Sequence, residues 1–440
     1  MADAAHLDGF FMNYFDYLDG IWHCEQSSVP RLAEAIGTPF YVYSKTALLD
    51  AYSGMDKAFG QMDHLICYAV KANPNMTLNR VLAEAGAGAE VVSGGELYRA
   101  LQAGYPPDRI VFDGNAKTRE ELAQALEAGI HAINVDSENE LRVLADLAQE
   151  MDRKARVGLR VNPDVNPDTH PKIATGLRKS KFGVDLSRAV ACYEFARDHP
   201  YIDAVGIHAH IGSQILETAP FAEAAGKLVD LALELRERGV ELEYMDLGGG
   251  LGIQYEDESP PSHAELADAI RPHWERYPMR ILLEPGRSLM GNTGCLISKV
   301  LYIKESPAKR FVVIDAAMND LWRPTMYDSY HHITPVRETG ETFTADVVGG
   351  VCESGDYMAR DRVMGKVEEG DLIAIGSTGA YGASMSSEYN TRPLAPEALV
   401  DDATFQVIRR RPTYDEMIRL EKAEAPRWSA AHAQPSGEDN

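Results

Sequence analysis

The chain has 440 residues, with 43 Lys plus Arg against 67 Asp plus Glu and a net charge of −24. So acidic a surface repels nucleic acid and anionic membranes, so neither is an expected partner. Its five cysteines (Cys24, Cys67, Cys192, Cys295, Cys352) stand far apart with no CxxC pair, which points to neither a disulfide framework nor structural zinc and fits reduced thiols in the cytoplasm.

At roughly 150 residues per domain, the length favours two or three domains. The first residues, MADAAHLDGF, hold two Asp and no basic region before an apolar stretch, so they do not read as a signal peptide. No run of about 18 apolar residues occurs, so no membrane-spanning helix is expected. Residues 1–43 read as an N-terminal segment. Its IWHCE and FYVYS stretches are candidates to join a later β domain.

From 44 to 290 the pattern is α/β. Short apolar runs recur at LICYAV (65–70), AEVVS (89–93), RIVFDG (109–114), AINVDS (132–137), RVGLRV (156–161), AVGIHAHIG (204–212), YMDLGGG (244–250) and RILLEPG (280–286). Helical stretches such as RVLAEAGAGA, REELAQALEAG and ENELRVLADLAQEM separate them. Buried parallel strands read as continuous apolar runs, and eight such units predict a TIM (β/α)8 barrel over a doubly wound sheet. Most runs end in chemistry: Lys71, Ser93, Asn115, Asp136, Asn162, His210, Gly248 and Glu284. The C-terminal ends of barrel strands line the active site of this fold.

Residues 291–422 change character. KVLYIKE, RFVVIDAAM, TADVVGGVC, DLIAIGSTGAYG and TFQVIRR read as strands with few helices, predicting a mostly antiparallel β domain. Residues 423–440, rich in Ala, Pro and small polar residues, are expected to be a disordered tail.

Several motifs carry chemistry beside a plainer reading. Lys71, at the end of the first run in YAVKANPN, would stand among apolar neighbours; desolvation lowers an amine and suits imine chemistry. The plainer reading is a solvated strand-end lysine. The glycines of DLGGGLGI and EPGR follow the seventh and eighth runs, where barrels bind phosphate, or else form two tight turns. His208 and His210 share a strand face. HxH can ligate metal, but a barrel metallohydrolase carries it on the first strand, so an imidazole against a flat cofactor fits better. Cys352 beside Glu353 could be a proton donor next to a ligand-binding carboxylate, or a structural thiol. Arg323, Tyr327, Tyr381 and Tyr389 supply groups outside the barrel, and an Arg fork binds carboxylates.

Together FYVYS, YAVKANPN, VVSGGELYRAL, HPKIATGLRKSKFG, HAHIGSQI, DLGGGLGI, EPGRSL, CESGD and GAYGASMSSEYNTRP resemble the diaminopimelate decarboxylases. That family belongs to the fold-type-III pyridoxal-phosphate (PLP) enzymes, which pair an alanine-racemase-like barrel with a β domain. The resemblance runs from about Thr38 to Tyr414. It implies decarboxylation of meso-2,6-diaminopimelate to L-lysine. It implies that Lys71 bonds PLP, that His210 stacks on the ring and that Glu284 pairs with the ring nitrogen. Ser213, Gly249, Gly250, Pro285, Gly286 and Arg287 would lie at the phosphate side of the cofactor. Arg287, Arg323 and Tyr327 would bind substrate carboxylates, with Tyr381 touching cofactor or substrate. Cys352 would be the proton donor and Glu353 would read the distal amino group, both reaching the neighbouring subunit's site in a homodimer. No metal is implied. Glu90 departs from the Asp usual before VVSGGE, and Leu394 from a basic residue after TRP; neither is expected to touch a catalytic role. The alternatives are a decarboxylase of another basic amino acid or of carboxynorspermidine, a racemase using Tyr381, and a non-catalytic PLP-binding regulator.

Overall fold

The computed structural model describes residues 14–167 and 181–422. The stretches MADAAHLDGF and HPKIATGLRKS, and the expected tail from 423, lie outside the described residues.

The eight apolar runs form eight parallel strands: β1 (His64–Ala69), β2 (Gly88–Val91), β3 (Ile110–Phe112), β4 (Ala132–Val135), β5 (Ala155–Asn162), β6 (Ile202–His208), β7 (Tyr244–Asp246) and β8 (Arg280–Leu283). Each pairs in parallel with the next, and β8 pairs with β1, which closes the barrel. The strands read as apolar runs because both faces are covered: Ile133, Ile207, Met245 and Ile281 are all buried. One stretch is redrawn. RVLAEAGAGA is not helical throughout, since the helix Met76–Glu84 stops and Gly88 and Ala89 already belong to β2. A Cβ on Gly88 would meet the Arg109 carbonyl oxygen at 2.4 Å, so this strand contact requires glycine.

Except for Ala219–Glu237, whose Thr218 makes no side-chain cap, the outer helices start where the sequence offers an acceptor side chain. Asn75, Ser93, Thr118, Ser137, Asp185 and Ser262 each accept a backbone N–H of the helix they open. Thr118 with Glu121, and Ser262 with Glu265, make full capping boxes. Ser93 thereby caps the helix Gly94–Ala103.

The second sheet runs in the order Tyr357–Gly365, Thr342–Val348, Arg310–Ile314, Gly294–Glu305, Phe40–Ser44, Glu397–Asp401, Thr404–Arg409. It is mostly antiparallel; Arg310–Ile314 with Thr342–Val348, and Phe40–Ser44 with Glu397–Asp401, are the parallel pairs. FYVYS joins this sheet as expected. IWHCE does not: it lies in a separate three-stranded sheet, tied to the β domain by an isolated bridge from Ile21 to Arg337. One apolar core runs through both parts, from Ile66 and Ile281 in the barrel to Val312 and Ile373 in the β sheet. No helix of the described residues is long and apolar enough to cross a membrane.

Candidate active site

A cavity of about 450 Å³ opens where the β-domain loops meet the C-terminal ends of the barrel strands. Lys71, His210, Ser213, Arg287, Arg323, Tyr327 and Tyr381 all line it. Lys71 sits in the one-turn helix Val70–Ala72 that ends β1. The GAYGAS loop docks on that turn: Tyr381 N and Ser384 Oγ both donate to the Ala72 carbonyl, at 2.9 and 3.1 Å, and Asn73 Nδ2 donates to Gly379 O at 3.1 Å. Tyr381 takes a positive φ of 56° to make this approach.

Lys71 Nζ lies 2.5 and 2.6 Å from the two carboxylate oxygens of Glu90, which is fully buried on β2. Ala69 and Glu90 are direct partners in the β1–β2 ladder, so register alone brings the pair together. This corrects two expectations. Burial does lower the Lys71 amine, but Glu90, Tyr381 and Glu284 outweigh it and hold the amine above its ordinary value. Glu90, expected to stand apart from the chemistry, is the acid paired with Lys71, and burial pushes its carboxyl up to about 7 against the pull of that ammonium.

His210 Nδ1 accepts from Gly249 N at 3.2 Å. Burial, then Arg160 and Lys71, keep this imidazole well below its ordinary value, so it is neutral near pH 7. His208 and His210 do not converge on one point. The groups that come together are Asp113, His208 and Glu284, in a fully buried layer beneath the cavity. Glu284 Oε1 has no hydrogen-bond partner among the described residues.

The glycines permit close backbone contact. A Cβ on Gly249 would lie 2.2 Å from Glu284 O, and one on Gly250, at φ +117°, would lie 2.4 Å from Gly212 O. A Cβ on Gly286 would lie 3.0 Å from Ala72 Cβ and 3.3 Å from the Tyr381 hydroxyl. Gly249, Gly250 and Pro285 line a smaller pocket behind the main cavity.

Two buried arginines face the cavity. Arg287 donates to the Tyr255 hydroxyl and to Ser213 Oγ (3.2 Å), and its guanidinium lies 5.0 Å from the Tyr381 ring. Arg323 donates to Ser329 Oγ at 3.2 Å and to His331 Nε2 at 3.4 Å, and lies 4.9 Å from the Tyr255 ring. Their hydrogen bonds go to neutral groups, not to carboxylates. Burial, with Arg287 nearby, lowers Arg323 from its ordinary value. Tyr255, stacked between the two cations, had no sequence signal: it lies in the loop after β7 with no motif around it.

Cys352 and Glu353 are not brought to this cavity. Both are exposed. Their turn is nevertheless fixed: buried Asp356 accepts from Met318 N at 2.7 Å and Val351 N at 2.8 Å, and Cys352 N donates to Asn390 Oδ1 at 2.8 Å. Tyr389 donates to Glu353 Oε2 at 3.0 Å.

Residues 46–291 match the family model for the pyridoxal-dependent decarboxylase, pyridoxal-binding domain. The chain is 48% identical over 408 residues to the diaminopimelate decarboxylase of Aquifex aeolicus, covering 92% of this chain and 96% of that one. It superposes on diaminopimelate decarboxylase from M. jannaschii in complex with L-lysine with a TM-score of 0.90, at 42% identity, covering 95% of this chain and 99% of that one. The Helicobacter pylori enzyme with L-lysine gives a TM-score of 0.87 at 40% identity, covering 89% and 98%. The chain therefore belongs to the diaminopimelate decarboxylases, a family of pyridoxal-dependent decarboxylases.

Proposed function

We propose that this chain converts meso-2,6-diaminopimelate to L-lysine and CO2, the last step of lysine biosynthesis, with pyridoxal 5′-phosphate as cofactor. The observation that carries this reading is the cavity's donor set: one lysine, a buried carboxylate with an orphaned oxygen, and two buried arginines bonded only to neutral groups.

These residues fit the cofactor. Lys71 would hold its aldehyde carbon, Glu284 Oε1 its ring nitrogen, and neutral His210 its ring face. Ser213, Gly249, Gly250, Gly286 and Arg287 would hold its phosphate, with Pro285 shaping the turn; the missing Cβ atoms leave room for an anion against backbone N–H groups. When bound, the cofactor supplies a sink for the electron pair left on Cα as the carboxylate departs.

The chain's own residues do the rest. Glu90 orients the Lys71 amine through its two carboxylate oxygens, 2.5 and 2.6 Å from Nζ. Arg287, Arg323 and Tyr327 bind substrate carboxylates, and Tyr381 closes the side of the site against the Lys71 turn. A buried guanidinium left without an anion is costly, so an amine substrate lacking the distal carboxylate is rejected by on the order of 10³-fold or more. Cys352 delivers the proton to Cα and Glu353 reads the distal ammonium.

Cys352 and Glu353 stand outside the cavity of their own chain, which supports a homodimer in which each subunit completes the other's site. The domains are taken as 44–290 and 291–422, with 1–43 partly in the β domain. Five unpaired thiols support a cytoplasmic location.

The test is a substrate panel: meso-diaminopimelate, ornithine, arginine and L-lysine, each with and without added cofactor, scored by released CO2. Release from diaminopimelate alone, strengthened by cofactor, is expected. Equal release from ornithine or arginine would overturn the assignment.

A further inference from the structure

The layer beneath the cavity contains a histidine that the reading above does not use. His208, at the end of β6, is fully buried. Its Nε2 lies 3.4 Å from Asp113 Oδ2 and 3.5 Å from Glu284 Oε2 as a close polar contact, and neither ring nitrogen makes a hydrogen bond among the described residues. A lone pair aimed at two carboxylates would be repelled by both, so Nε2 carries the hydrogen.

The surroundings are built to keep two of these acids supplied. Asn134 Nδ2 donates to Asp113 at 2.8 Å and to Asp246 at 3.3 Å, while its Oδ1 accepts from the Tyr244 hydroxyl at 2.9 Å. Gly248 N donates to Asp246 at 2.9 Å. Space for this layer comes from Gly158 and Gly206, whose Cβ atoms would overlap Asn134 and Tyr244. Despite burial, Asp113 is held below its ordinary value by His208, Arg160 and Lys71. Glu284 is pushed the other way by burial, Asp113 and Glu90, toward a neutral form that cannot pair with a protonated ring nitrogen.

We propose that His208 is a positioning residue for Glu284: its Nε2–H stands between Asp113 and Glu284, separates the two negative charges, and holds the Glu284 carboxylate ionised and oriented toward the cofactor ring. The proposal rests on the cofactor reading given above. Without the imidazole, Asp113 and Glu284 face one another with no donor between them, and one must take up a proton. Asp113 keeps Asn134 and Arg160, and Asp246, which faces Glu284 in the same layer, keeps Asn134 Nδ2 and Gly248 N, so the proton is assigned to Glu284, which has no such donor.

Two variants of the holoenzyme separate this role from simple packing. His208→Phe fills the space without a donor; His208→Gln restores an N–H. H208F is expected to lower kcat by on the order of ten- to a hundredfold, the scale of leaving a buried charged group without its polar neighbour, with KM changed less than about twofold. H208Q is expected to recover most of that loss. The second readout is infrared difference spectroscopy of wild type and H208F. One additional protonated-carboxyl band is expected in H208F, and it should be missing when the same pair is compared in an E284Q background. Equal kinetics for H208F and wild type, no new band, or a band that persists with E284Q would overturn the proposal. A stoichiometric divalent metal lost on mutation would also overturn it, making His208 a ligand instead. The infrared arm needs no turnover, so an enzyme that ignores diaminopimelate would count against the functional reading alone.

Discussion

The barrel mouth and the Cys352 turn are both held by hydrogen bonds but differ in burial. At the mouth, Lys71, Arg287 and Arg323 are cross-tied to Glu90, Ser213, Tyr255, Ser329 and His331, and much of the set is buried. The turn 352–356 is equally well fixed, through Asp356 and Asn390, yet its two functional candidates point away from that cavity into solvent. A mobile loop could fold back over its own site. A turn locked by a buried carboxylate presents its side chains in a set direction. The difference teaches that order and burial are separate properties: the turn is fixed while its two side chains stay exposed.

The strongest way to break this comparison is subunit mixing. Lys71→Ala and Cys352→Ala should each abolish most turnover alone. Refolded together, half of the dimers carry one variant of each kind, and each such dimer keeps one intact site. Recovery of roughly one quarter of wild-type activity is expected from that statistics. No recovery would place Cys352 in its own chain's site and erase the contrast.

A smaller effect sharpens the contrast from the β-domain side. His331, fully buried behind Arg323, has Nδ1 2.9 Å from the Gly376 carbonyl and Nε2 facing the Arg323 guanidinium. Burial and Arg323 lower it to about 3. The unfolded chain therefore binds this proton below about 6.5 while the folded chain does not until about pH 3, so stability falls as pH falls through that window. From pH 7 to 5 the loss attributable to this group is about 2 kcal/mol, at about 1.4 kcal/mol per pH unit below 6.5. His331→Asn is expected to flatten the slope of unfolding free energy against pH by that amount, measured by denaturant titration at both pH values. An unchanged slope would remove His331 from the arginine's support.

The barrel was legible because its strands are buried on both faces and show as apolar runs. The β domain was legible only in part. Tyr357–Gly365, with Arg360, Asp361 and Arg362 inside it, and Glu397–Asp401, opening on a buried Glu, carry charges that hide a strand from a search for apolar runs. The cavity's lining was legible where a strand ended in a polar group, as at Lys71 and His210, while Glu284 lies in the buried layer beneath it. That same rule also picked out Ser93, a helix cap, and Asn115, an exposed loop residue. It missed Glu90, which sits inside a strand rather than at its end and reaches Lys71 through ladder register. The Lys71 amine was misjudged for the same reason: desolvation was legible from apolar neighbours, while the opposing carboxylate belonged to the next strand.

The account turns on the identity of the lysine that holds the cofactor, and borohydride reduction of the cofactor-loaded enzyme tests it most directly. Digestion and mass spectrometry should find the reduced cofactor on the peptide containing Lys71, with Lys71→Ala protein unlabelled. Label on any other side chain, or none on colourless protein saturated with cofactor, would contradict it.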